Sequence, residues 1–153
     1  MATPLESIIQ EAKNGGLSVS FSTDVRVNAD EFVYMERDCE AFLDEIENLQ
    51  RQAMAIANRE KWGLGETTPG LTSASTLVGR FRSKAGKVGA ASDSDNNLND
   101  ILQQHHDIVV DIRDLHREIA KRYMATDQEF AARYNELSAN VPPSAINSTE
   151  GLA

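Results

Sequence analysis

Two runs of apolar residues at alternating spacings of three and four constrain this chain more than anything else in it. The first is Phe32, Met35, Cys39, Phe42, Ile46, Leu49, Ala53, Ile56. The second is Leu98, Ile101, His105, Ile108, Ile112, Leu115, Ile119, with one polar member. Such spacing lays a stripe along one side of an α-helix, the pattern of a helix–helix seam. Two long helices with matching seams in one chain predict an antiparallel pair, and so an all-α fold built on a long antiparallel helical hairpin. Past Ile119 the stripe steps sideways to Tyr123, Phe130, Tyr134 and Leu137, a change of phase like a stutter. The last helix is expected to run on through that step, from about Asp95 to Leu137.

The ends of the elements are marked as well. Asn28 is a predicted N-cap, with Glu31 as the other half of a capping box. The helix from Asn28 to Lys61 would be roughly 50 Å long. Asp38, Glu40, Asp44, Glu45, Glu47 and Arg51 form its charged outer face. Trp62, Gly63 and Gly65 make the turn that ends it, since either glycine accepts the left-handed conformation that stops a helix. Leu71, Ala74, Val78, Phe81, Ala85 and Val88 then return to helical spacing, which predicts a third, shorter helix from about Thr72 to Lys87. Asp93 or Asp95 is the expected cap of the last helix. Upstream, Pro4 to Lys13 reads as a short helix stopped by Gly15-Gly16, and Leu17 to Val27 alternates like an extended arm. The expected organisation is therefore 1–27, a short helix and arm; 28–138, a helical hairpin domain; and 139–153, a disordered tail that contains Val141-Pro142-Pro143.

Charge and composition exclude several function classes. Fifteen basic residues against twenty-four acidic give a net charge of -9, a poor match to nucleic acid, whose phosphates need a positive field. The single cysteine, Cys39, makes no internal disulfide and no zinc cluster, and reads as a small seam residue. No apolar run is long enough to span a bilayer, and Met1 to Phe21 does not have the order of a cleavable signal peptide.

Metal and catalytic motifs fare no better. Asp93-Ser94-Asp95-Asn96-Asn97 opens like a calcium loop, but Leu98 and Gln104 stand where that loop needs glycine and glutamate. His105 and His116 share a helix face but stand some 16 Å apart, too far to share an ion. The Glu-x-x-His of di-iron bundles is absent. No glycine-rich phosphate loop follows a strand, and no Ser or Cys nucleophile has a base beside it. Arg80, Arg82, Lys84 and Lys87 form a small basic cluster, read as a solvated or internally paired face. No cofactor, no metal and no enzymatic activity are expected.

Near the end of the last helix stands Tyr123-Met124-Ala125-Thr126-Asp127, a Tyr-x-x-x-Asp whose two polar ends would share one face of an unbroken helix. The order of parts is seam helix, Trp-Gly turn, seam helix, Tyr-x-x-x-Asp and tail. It resembles the WxG helical-hairpin superfamily of type VII (ESX) secretion substrates in actinobacteria, over roughly Asn28 to Leu137. The resemblance implies pairing into a four-helix-bundle-like dimer and export of the folded pair without a cleaved signal peptide. By the same resemblance Tyr123 and Asp127 are the export-signal residues and Trp62 the turn residue. The implied partners are a second copy or another helical-hairpin protein, and a secretion ATPase or chaperone. Tyr34 and Asp38 have the same spacing at the start of the first long helix. Leu43, Leu102 and Val109 would form a second apolar row beside the seam, a further reason to expect a dimer. The alternative is a cytoplasmic all-α scaffold or adaptor that uses the same seams to bind a partner helix.

Overall fold

Two asparagines open the long helices. The Asn28 side chain accepts the Asp30 amide at 3.0 Å. Asn97 accepts the Asp100 amide at 2.9 Å while its own amide donates to the Asp100 carboxylate at 2.8 Å. Each cap satisfies a donor that the first helical turn leaves without an intrahelical acceptor. In the computed structural model, which describes residues 5–18, 27–86 and 96–146, the chain forms α1 (Glu6–Lys13), α2 (Ala29–Ala57), α3 (Thr72–Ala85), α4 (Leu98–Thr126) and α5 (Gln128–Ser138). No strand occurs among the described residues, and the fold is all-helical. Residues 19–26 of the expected arm lie outside the described residues, as do Asp93 and Asp95. The cap of α4 is Asn97, only 1 % exposed.

The last helix is not continuous. α4 stops at Thr126, and Asp127 takes an extended conformation (φ −127°, ψ 108°). Its carboxylate then accepts the amides of Glu129 and Phe130, both at 3.0 Å, and so caps α5. The single helix expected from about Asp95 to Leu137 is therefore two. The stutter at Ile119 to Tyr123 was the trace of this break: restarting the helix brings Phe130 into the core (5 % exposed), where it joins Ala29 and Ala120.

The chain divides into two compact units, Met1–Glu45 with Asp107–Ala153, and Ile46–His106. That division cuts across α2 and α4. In the first unit α2 and α4 are antiparallel: Arg117 reaches Glu36 at 2.7 Å and Arg113 reaches Glu40 at 3.1 Å, so four residues forward on one helix are four residues back on the other. Val27, Phe32, Tyr123, Met124 and Tyr134 surround the Ala29–Ala120–Phe130 core. In the second unit Glu47 faces His106 at 3.9 Å and Gln50 bonds Gln103 at 3.0 Å, a step of three in each direction. There α3 comes close to α2 at Gly86, where an added Cβ would lie 2.8 Å from the Met54 sulfur and 3.2 Å from the Ala57 methyl.

The expected seam is not the centre of the contact. Ile46 and Ala53 are buried, and Phe32, Cys39, Ile112, Leu115 and Ile119 are partly covered. Met35, Phe42, Leu49, Ile56, Leu98, Ile101 and Ile108, by contrast, keep between 36 % and 45 % of their surface. Leu43, expected beside the seam, is buried, and Leu102 and Val109 are half-buried. The reason is side-chain size. Alanines at 29, 41, 53, 57 and 120 are buried, and small residues let helix backbones approach, while charged side chains close one flank. The large side chains of the apolar stripe are turned to the other flank, by part of the roughly 100° that separates successive residues.

Candidate functional site

Tyr123 belongs to the aromatic core of the first unit. Its ring centroid lies 5.4 Å from that of Phe130 and 6.3 Å from that of Phe32, which in turn meets Phe130 edge-on at 5.7 Å. Such arrangements add to the burial energy of the rings. Asp127 is exposed, and its amide donates to the Tyr123 carbonyl at 2.7 Å. The two residues are thus adjacent, but not on one continuous helix face as the spacing suggested, because the backbone turns out of the helix at Asp127. Beside them Gly15 to Ser18, Ile119, Arg122, Tyr123 and Thr126 line a cavity of about 300 Å³. Arg122 closes one wall by donating to the Leu17 carbonyl.

Charges tie the neighbouring helices together. Arg133 of α5 grips Asp30 of α2 with two bonds of 2.6 and 2.7 Å. Its guanidinium holds the Asp30 carboxyl below the ordinary range. Glu36 accepts Arg117 on one oxygen and the Tyr134 phenol on the other, at 2.9 Å. Burial, with the hydrogen bond to Glu36 second, pushes the Tyr134 hydroxyl up to about 12. The other Tyr-x-x-x-Asp is differently employed. Arg37 lies over the Tyr34 ring at 4.8 Å and pairs with Asp38 at 2.8 Å.

The Trp62 turn lies in the second unit and leads into α3, not into the second long helix. α2 has already ended at Ala57, so this turn is not what ends it. Instead its ring stacks on Phe81 of α3 (5.7 Å, 13° between planes), its indole donates to the Arg59 carbonyl at 3.1 Å, and the Arg59 guanidinium lies 5.6 Å over it. Gly63 and Gly65 both have positive φ (75° and 83°), conformations that side chains resist. They curl the backbone so that the amides of Trp62, Gly63 and Leu64 all point at Glu66, at 2.5, 3.3 and 2.9 Å. These donors, Trp62 first, bring the Glu66 carboxyl down to about 2. Sequence reading passed over Glu66; the available signal was an acid directly after a Gly-x-Gly turn. Arg82 of the basic cluster donates to the Arg59 and Glu60 carbonyls, and Lys84 to that of Asn96. Lys87 is outside the described residues.

The rest of the candidate surface is apolar. Met35, Phe42, Leu49 and Ile56 repeat every seven residues along α2 and are exposed. In the first unit Met35, Cys39 and Phe42 of α2 and Val109 and Ile112 of α4 line a groove of about 470 Å³, with Ile146 at its edge. Burial pushes the Cys39 thiol up, away from the reactive thiolate. His105 and His116 each bond the carbonyl four residues back, Ile101 and Ile112 respectively, and His116 also packs near Phe32 at 6.0 Å. Among the described residues no group of three or more His, Cys, Asp or Glu is placed to hold a metal ion, and no helix is long and apolar enough to cross a membrane. No family model, no curated protein and no solved structure matches the chain.

Proposed function

We propose that this chain is a non-enzymatic substrate or associated protein of a type VII secretion system, a helical hairpin that pairs through α2 and α4 and leaves the cell folded. The observation that carries the pairing is the same in each unit: two large apolar side chains of α2 seven residues apart, Met35 and Phe42 in the first and Leu49 and Ile56 in the second, that keep 38–45 % of their surface. Covering that remaining surface is worth about 1–2 kcal/mol for each side chain. A seven-residue repeat is what a second helix follows in a left-handed supercoil. Leu98, Ile101 and Ile108 on α4 add to the apolar surface available for pairing. The partner is a second copy or another helical-hairpin protein, giving a four-helix-bundle-like dimer, with a secretion ATPase or chaperone as the receiving machinery. Export itself rests on the resemblance at Tyr123 and Asp127, with Trp62 as the turn residue.

The cytoplasmic scaffold reading is favoured by one observation. Asp127 already has a structural task as the α5 cap, which accounts for an aspartate there without any receptor. The two substitutions Asp127→Asn and Asp127→Ala separate these readings, because asparagine caps a helix about as well as aspartate while alanine does not. The protein is followed in the culture filtrate of its own host, with and without the export ATPase. Secretion predicts that Asp127→Asn folds normally and stays in the cell. Normal export of that variant, or absence of the unaltered protein from the filtrate, leaves the scaffold.

A further inference from the structure

One wall of the groove on α2 and α4 comes from the segment that follows α5. After α5 the backbone continues along α2 in the direction α5 already takes. Arg37 donates to the Pro142 carbonyl at 3.3 Å, and the Ser144 hydroxyl donates to the Asp38 carboxylate at 2.6 Å. The Ile146 amide donates to the Ser144 oxygen at 3.2 Å and so tightens the turn. The stretch from 139 was expected to be a disordered tail; as far as Ile146 it is held against α2, and 147–153 lie outside the described residues. Two prolines, Pro142 and Pro143, restrict the backbone before docking and lower the entropy lost on it. The result is that Ile146 stands on the groove beside Met35, Phe42 and Ile112.

We propose that Val141–Ile146 is a strap that borders this groove in the unpaired chain, held by Arg37 and Asp38, and must leave before a second copy seats on the Met35–Phe42 face. The proposal rests on the pairing through α2 argued above. A second copy is the occupant the charge and the area favour. Glu31 and Asp38 line the groove and Arg37, paired with Asp38, stands next to it in sequence, so both signs are present there, as a self-complementary contact requires. One isoleucine, still 44 % exposed, and two polar anchors cover only part of the face. A whole helix offers the column more contact than the strap does, so the strap delays pairing without preventing it.

Cys39 provides the test, because it is the only cysteine in the chain and lines the groove. Full-length Ser144→Asp sets a second carboxylate against Asp38, and Ile146→Ser removes the apolar contact. The rate at which Cys39 reacts with an aromatic disulfide is measured at concentrations where the chain is monomeric. Self-association of the unaltered chain and of Ser144→Asp is measured by sedimentation, and melting temperatures show that the fold is kept. Both variants are expected to react roughly tenfold faster, the gain of freeing a weakly held segment. Ser144→Asp is expected to self-associate more tightly, and adding Asp38→Asn to it to restore slow labelling. Unchanged labelling overturns the strap. Faster labelling with unchanged or weaker association overturns its gating of the pair. Neither readout depends on export, so a failure of the Asp127 experiment is told apart from a failure here.

Discussion

The phenol of Tyr134 donates to the carboxylate of Glu36 at 2.9 Å, joining α5 to α2 across 98 residues of sequence. The same carboxylate accepts Arg117 of α4, so one side chain ties three helices. Tyr134→Phe removes one bond to a charged acceptor and leaves the Arg117 pair. It is expected to cost about 1–2 kcal/mol, read by denaturant unfolding. The Tyr134 pKa is raised to about 12 by burial and then by Glu36. The stability it contributes is complete below the ordinary tyrosine value of 10 and is lost as the pH rises from there towards 12. Unfolding midpoints of the unaltered chain are expected to fall over that window more steeply than those of Tyr134→Phe.

Asp127→Ala leaves the first amides of α5 without their acceptor and is expected to destabilise the protein by about 1 kcal/mol. In a chain of this size that lowers the melting temperature by a few degrees. Asp127→Asn is expected to melt within about a degree of the unaltered protein. Equal losses in both variants would mean that the charge, and not the cap, matters for folding.

Glu66 ties the Trp62 turn through three amide donors, and its carboxyl is held near 2 instead of 4.5. A depressed acid contributes stability above its unfolded value and loses it as the pH falls through the folded one. Trp62 fluorescence is therefore expected to hold steady down to the ordinary glutamate range and to change between about 4.5 and 2. Glu66→Ala is expected to show the altered emission already at neutral pH and no acid transition in that window.

Phe42→Ser touches a side chain that is 44 % exposed, so the isolated chain should lose little stability. Pairing through the α2 column should weaken by roughly tenfold, the equivalent of about 1.4 kcal/mol. Sedimentation equilibrium checks the second figure and thermal melts at low concentration check the first.

Asp111 is 7 % exposed, and its Oδ2 has no hydrogen-bond partner among the described residues. Burying a polar group without a partner costs about 1–3 kcal/mol, while an apolar side chain of similar volume avoids that cost. Asp111→Leu is accordingly expected to raise the denaturant midpoint. A lower midpoint would show that the carboxylate makes a favourable interaction in solution.

Local chemistry was enough to define which segments are helical. The spacing of Phe32 to Ile56 and of Leu98 to Ile119, the Asn28 cap, the Gly15 stop and the Gly63–Gly65 turn act within a few residues, and each leaves its mark in neighbouring letters, although α2 ends at Ala57, ahead of that turn. The third helix at Thr72–Ala85 was legible for the same reason. Which side of each helix meets its neighbour was not. Periodicity marks a stripe, but the centre of the contact depends on where alanines let backbones approach and where Glu36 and Glu40 meet Arg117 and Arg113 on another segment. Those are distances between residues far apart in the chain. The same holds for the break at Asp127, where packing of Phe130 on Phe32 offsets the loss of helix continuity, and for Ser144, whose partner Asp38 is 106 residues away. Sequence alone determined the helices and their apolar stripe; only the tertiary structure decided that much of the stripe faces outward, because close packing is settled by side-chain size and charge pairing together and not by hydrophobic period alone.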